Sequence, residues 1–215
     1  MQDFDKERLA MVEAIKEPAR IKDKRVISAL KKVPRHLFVP EREILRAYEC
    51  STLPGDGSYE FWSVSDPACV AFMCQSLNLK GQENVLDVGG GSGYHAAILG
   101  QLVRKVTSIE RISSLVERAS KVCTELNYKN IEFKIGDAHN GYKEAAPYDA
   151  INIACSTPSI PKELLNQLAP NGRIIIPLEN KDGCNLVLIR KLMDRTIKST
   201  ILSKASFVPM RSGTA

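Results

Sequence analysis

The segment Asn84-Val85-Leu86-Asp87-Val88-Gly89-Gly90-Gly91-Ser92-Gly93-Tyr94 constrains this chain more than any other. A short apolar run stops at a cluster of glycines, and Ala96, Ala97, Ile98 and Leu102 follow in a helical pattern. Strand, glycine loop and helix in that order open a Rossmann-like sheet, where glycine lets the backbone approach a ligand closely. The glycine spacing narrows the ligand. A dinucleotide fingerprint needs G-x-G-x-x-G, but here Gly89, Gly91 and Gly93 alternate and Tyr94 takes the final glycine's place. The spacing argues against NAD.

G-x-G-x-G is the form typical of loops that hold S-adenosylmethionine (SAM), and two further strands fit that ligand. Lys105-Val106-Thr107-Ser108-Ile109-Glu110 is apolar and β-branched, and it ends in an acid about twenty residues after the first glycine. A carboxylate there accepts hydrogen bonds from the ribose hydroxyls, which makes Glu110 the expected ribose ligand. A third strand, Ile131 to Ile135, runs into Gly136-Asp137-Ala138, where an acid can meet the exocyclic amine of adenine. The expected cofactor is SAM, with Gly89, Gly91, Ser92, Gly93, Glu110, Arg111, Gly136, Asp137 and Ala138 around it. Asp87 ends the first strand and is expected to orient the loop without touching ligand.

At 215 residues the chain suits one well-buried α/β domain. A formal charge of +5 without any dense basic run interleaved with aromatics gives no nucleic-acid signature. No apolar stretch approaches the roughly 20 residues that span a membrane, and the charged opening Asp3 to Arg8 does not read as a secretory signal. The expected location is the cytoplasm, with neither membrane nor nucleic-acid partners. Cys50, Cys69, Cys74, Cys123, Cys155 and Cys184 are scattered without C-x-x-C pairs, so reduced, buried thiols are expected. His36, His95 and His139 lack ligand spacing, and no metal site is expected.

The chain reads as a single domain over 1–215 in three zones. Residues 1–78 are mostly helical, with Leu9, Val12 and Ile15 on one helix and Val26, Ile27, Leu30 and Val33 on another that Pro34 stops. A Gly-, Ser- and Pro-containing loop then runs from Cys50 to Ser65. Asp66-Pro67 is a helix start, with the acid as N-cap and proline in the first turn. The core spans 79–182. Its fourth strand, Asp149 to Ala154, continues into Cys155-Ser156-Thr157 at the carboxyl end, where open α/β sheets bind ligands. A helix from Pro161 and a strand Arg173 to Pro177 complete it. In 183–215, Leu186 to Ile189 and Ile197 to Leu202 suit antiparallel strands at the sheet edge.

Outside the core, Val33-Pro34-Arg35-His36-Leu37-Phe38-Val39-Pro40-Glu41 resembles a segment of the protein-L-isoaspartate (D-aspartate) O-methyltransferases. Ala47-Tyr48, Leu53-Pro54, the glycine loop with His95-Ala96-Ala97, and Ser108 to Ile112 continue the resemblance in order. So do Ala146 to Ile151, Gln167 to Pro177 and Phe207-Val208-Pro209. The resemblance covers nearly the whole chain. It implies a class I SAM-dependent methyltransferase fold, a doubly wound Rossmann-like sheet with an N-terminal helical section. It also implies methyl transfer to the side carboxyl of isoaspartyl or D-aspartyl residues in damaged proteins, so that the ester can cyclise to a succinimide. That chemistry needs no strong base, because a carboxylate is already ionised at neutral pH.

By the same resemblance Ser65 is the catalytic serine, while Ser63, Trp62, Ser156 and Thr157 are the expected acceptor contacts. The acceptor loop departs from the family's pattern. Cys50 stands where the pattern has aspartate, and Trp62-Ser63-Val64 replaces Gln-Thr-Ile, exchanging an amide for a large aromatic face. Two alternatives stay open beside isoaspartate methylation: a different acceptor, or a SAM-binding module without catalysis.

Overall fold

The computed structural model describes residues 3–57 and 62–215. Residues 58–61 of the expected acceptor loop, and Met1 and Gln2, lie outside the described residues.

Aspartates begin the early helices. Asp3 accepts the Lys6 N–H to start α1 (Phe4–Lys16), and Asp23 accepts from Arg25 and Val26 to start α2 (Lys24–Lys32). Asp66 accepts the Ala68 N–H at 2.8 Å, and Pro67 occupies the first turn of α3 (Pro67–Ser76). Met11, Val12 and Ile15 face the core from α1, but Leu9 is 46 % exposed. The periodicity was right and its phase was off by part of a turn. Between α2 and α3 lie two short 3₁₀ turns and a two-stranded hairpin. Its strands β1 (Leu53–Pro54) and β2 (Ser63–Val64) pair antiparallel inside what the composition suggested was only loop.

The main sheet holds β3 (Asn84–Val88), β4 (Lys105–Glu110), β5 (Ile131–Ile135), β6 (Tyr148–Ile153), β7 (Leu168–Asn180), β8 (Gly183–Lys191) and β9 (Ile197–Ala205). Their order is β5-β4-β3-β6-β7-β8-β9. The first five strands in that order run parallel, and β8 and β9 are antiparallel additions at one edge. Helices α4 (Tyr94–Gly100), α5 (Ser113–Glu125) and α6 (Lys162–Gln167) cover the faces. Leu168, assigned from sequence to the helix, instead begins β7, which bulges around Asn171 (φ +59°) before rejoining β6 at Arg173.

Residues such as Val85, Ile98 and Ile175 pack on one side with α1 to α5, and Leu86, Ile151 and Ile174 on the other with α6. The winding reverses between β3 and β6, so the loops after these two strands diverge and open a crevice. No described helix is long and apolar enough to cross a membrane. The six cysteines form no disulfide; three are buried, but Cys50 is exposed on the acceptor loop and Cys69 and Cys184 are half-buried.

Candidate active site

The crevice is a cavity of about 1040 Å³. That is the upper end of the size of small-molecule sites, with room for a nucleotide-like ligand and part of a second molecule. Its floor is the glycine loop after β3 together with Ala154 and Cys155 after β6. Gly91 has φ +49°, and a Cβ built there would meet nothing nearer than the Gly89 carbonyl oxygen at 3.9 Å. A side chain at 91 would therefore project into the open crevice and occupy ligand space. That is the physical reason for glycine here.

Glu110 lines the cavity at the end of β4 and is held by backbone. One carboxylate oxygen accepts from Arg111 N–H (2.7 Å) and Ile112 N–H (3.0 Å); the other accepts from Gly91 N–H (3.0 Å). With two acceptor positions per oxygen, one position on the second oxygen stays open to a ligand hydroxyl. The acid thus ties the glycine loop to β4 and still presents a lone pair. Ile109, Ile112, Ala138 and Val208 add an apolar lining beside it.

On the acceptor side, Trp62, Ser63, Ser65 and Asp66 line the same cavity. Their positions are fixed from below by Arg35, which is fully buried. Its guanidinium donates to the carbonyls of Ala47 (2.5 Å), Ser51 (3.2 Å), Val64 (3.4 Å) and Ser65 (2.9 Å), and it lies over the Tyr94 ring at 5.6 Å. The arginine of the Val33-Pro34-Arg35 segment is therefore the peg on which the loop hangs. Trp62 is only 8 % exposed, and its indole N–H donates to Asp56 at 3.2 Å. A Cβ on Gly55 would sit 2.3 Å from the indole ring, so glycine at 55 is what lets the tryptophan fold across its own hairpin.

Below the glycine loop runs a buried polar chain. Asp87 accepts from Ser108 (2.9 Å) and from Asn152 (2.8 Å); the same Asn152 amide nitrogen reaches His95 Nδ1 at 3.2 Å, and His95 Nε2 meets Cys74 at 3.3 Å. Because Asn152 donates to Nδ1, His95 carries its proton on Nε2. Burial pushes the Asp87 carboxyl up to about 6 and His95 down to about 3. Asp87 does not line the cavity, whereas His95, which its spacing did not mark as a site residue, does.

Of the expected site residues, the cavity gathers Gly89, Gly91, Ser92, Glu110, Arg111, Ala138, Trp62, Ser63 and Ser65. Gly93, Gly136, Asp137, Ser156 and Thr157 are not among its lining residues. Gly93 turns the chain into α4 against Ala119, and Gly136 packs on Ile109. Asp137 accepts the His139 N–H (2.9 Å) and meets the His139 ring (2.8 Å) with one oxygen and accepts the Gly213 N–H (2.7 Å) with the other, the same count of bonds that Glu110 carries. Ser156 donates its hydroxyl to Glu179 at 2.7 Å and exchanges backbone bonds with Val208 and Met210, while Thr157 donates to the Ser159 carbonyl at 2.9 Å. Ser156 thus holds the C-terminal segment beside the end of β6, while the Thr157 backbone bonds to Pro177 and Glu179 of β7.

That segment is the wall sequence reasoning missed. Residues 202–211 line the cavity, and the chain continues across the strand ends, with Ala215 N–H on the Arg111 carbonyl (2.8 Å). The one signal was Phe207-Val208-Pro209, noticed as a family mark and not as site.

A doubly wound sheet with a glycine loop, a ribose-type acid and a crevice at the strand reversal defines the class I SAM-dependent methyltransferase fold. Comparison with known proteins narrows the class. The family model for protein-L-isoaspartate (D-aspartate) O-methyltransferase matches residues 6–215. A protein-L-isoaspartate O-methyltransferase 1 from Syntrophobacter fumaroxidans is 41% identical over 98% of this chain and 96% of its own. A protein-L-isoaspartate O-methyltransferase 2 from Geotalea uraniireducens is 44% identical over 89% and 87%. Among solved structures, a protein-L-isoaspartate O-methyltransferase superposes with a TM-score of 0.82 at 25% identity, over 94% of this chain and 65% of that one. A Plasmodium falciparum structure described as the same enzyme in complex with S-adenosyl-L-homocysteine gives 0.80 at 23% identity, over 95% and 98%, and speaks to the fold alone. The chain belongs to the protein-L-isoaspartate (D-aspartate) O-methyltransferase family.

Proposed function

We propose that this chain methylates the free carboxylate of isoaspartyl or D-aspartyl residues in damaged proteins, with SAM as methyl donor. One observation carries the reading: a single cavity joins the glycine loop and Glu110 to the hairpin edge bearing Ser63 and Ser65. SAM fits the donor half on its chemistry. The Gly91 cradle admits backbone-close ligand, Glu110 keeps one acceptor position for a ribose hydroxyl, and Ile109, Ile112 and Ala138 offer apolar surface to a base. When bound, SAM supplies a methyl group on an electron-poor sulfonium.

The protein's own part is to bring a carboxylate into line and strip its water. Ser65 is suited to this, since its carbonyl is fixed by Arg35 and its side chain lines the cavity. Ser63 and Trp62 complete the acceptor wall, the indole excluding water. Gly89, Ser92, Arg111 and Ala138 belong to the donor half. Gly93, Gly136 and Asp137 act by shaping it from behind, Ser156 by anchoring the C-terminal wall, and Thr157 by tying the end of β6 to β7.

The test is methyl transfer from labelled SAM to paired peptides that differ only in aspartate or isoaspartate. Base-labile label on the isoaspartyl peptide alone is expected. SAM binding without transfer to either peptide would overturn the acceptor and point to a different substrate or to a binding module.

A further inference from the structure

We infer that Arg20 is a specificity-determining residue, selecting isoaspartyl acceptors that carry a second, acidic side chain near the damaged one. The inference rests on the activity proposed above and adds an acceptor preference to it.

Arg20 sits in the turn between α1 and α2 with φ +52°, a left-handed backbone that strains any residue bearing a Cβ. Glycine would meet the turn without that strain. The conformation is enforced by Gln75 of α3, whose amide donates to the Arg20 carbonyl at 3.1 Å and accepts from the N–H groups of Lys22 (2.6 Å) and Asp23 (2.8 Å). Gln75 is the penultimate residue of α3, about 12 Å along the helix from its start beside Ser65 and Asp66, so Arg20 is fixed at the far end of the same element.

Arg20 lines the cavity, on its exposed rim. Among the described residues its side chain makes no hydrogen bond or ion pair. Lys204 of β9 lines the same cavity and is likewise without a partner among the described residues. The acids of the lining, Asp66 and Glu110, accept from backbone N–H groups and form no ion pair with Arg20 or Lys204 among the described residues. The cavity therefore presents cationic side chains that form no ion pair among the described residues. A guanidinium bound to the reacting carboxylate would draw off its electron density and slow attack. A carboxylate beside it would pair with Arg20 at the rim and leave the nucleophile to the neutral hydroxyls.

The experiment measures KM for isoaspartyl peptides flanked by glutamate or by glutamine, with the wild type, Arg20→Gly and Arg20→Lys. Wild type should favour the glutamate peptide by about two- to fivefold in KM, as expected for one exposed ion pair. The preference should shrink in high salt. Arg20→Gly should bring the KM ratio to about one, and Arg20→Lys should retain part of it. A purely structural role for Arg20 would shift both KM values together and leave their ratio intact, which overturns the inference. So does a wild type that accepts both peptides equally. No transfer to any isoaspartyl peptide overturns the activity itself, and is distinguished from loss of preference by the glutamine-flanked peptide.

Discussion

Glu110 shows how one side chain can serve the scaffold and the ligand together. Its three backbone bonds leave a single open acceptor position, so on the function proposed above its substitution removes both a ligand contact and the tether of the Gly91 N–H. Glu110→Ala should weaken SAM binding by about 1–3 kcal/mol, read by calorimetry. Glu110→Gln should not rescue it, because an amide nitrogen would then face backbone N–H donors. An affinity equal to wild type in the alanine variant would refute this geometry. Ser65→Ala should behave oppositely: turnover falls while SAM affinity holds, since the serine belongs to the acceptor half. Loss of both together would assign Ser65 to structure.

The 3₁₀ turns and the hairpin between α2 and α3 send Phe38, Leu53 and Val64 into the core, and Arg35 gathers their carbonyls beneath them. Its substitution by methionine keeps volume but leaves the carbonyls of Ala47, Ser51, Val64 and Ser65 without their donor. Arg35→Met should cost about 3 kcal/mol or more in a urea titration, and in native buffer should lower kcat/KM for the peptide more than it lowers SAM affinity. The regular elements around this region were legible because their signals are local: alternating β-branched runs for β4 and β9, Asp66-Pro67 for α3, the glycines for the loop. Trp62 and Arg35 were visible only as letters in a motif. Nothing within a few residues of Arg35 announces that it will be buried beneath carbonyls as far off as Ser65. Asp137 shows the same limit from the other side. The acid after the third strand could be read locally, but its bond to the Gly213 N–H, 76 residues away, could not.

Across the whole molecule, the Asp87 and His95 titrations oppose one another. Asp87 rises from 3.8 unfolded to about 6 folded, so between those values the folded chain holds a proton that the unfolded chain has lost, and stability falls as pH rises. His95 drops from 6.5 to about 3, so the unfolded chain gains a proton there that the folded chain refuses, and stability falls as pH drops. Between about pH 4 and 6 the two slopes cancel. His95→Gln should expose the Asp87 slope, with urea midpoints declining from pH 4 to 6, and Asp87→Asn should show the reverse. Identical pH profiles in all three proteins would refute the pairing.

The C-terminal wall has a consequence of its own. Its bonds to Arg111 and Asp137 join residues 102 and 76 positions apart, at the protein's surface, whereas β3, β4 and β6 are stitched together in the interior. Such contacts close the largest loops and exchange hydrogen most readily. Amide protons of Met210, Gly213 and Ala215 should therefore exchange ahead of those in β3 and β6. Rising denaturant should extinguish methyl transfer while the sheet's circular dichroism is still native. In this fold the catalyst can come undone before the protein does.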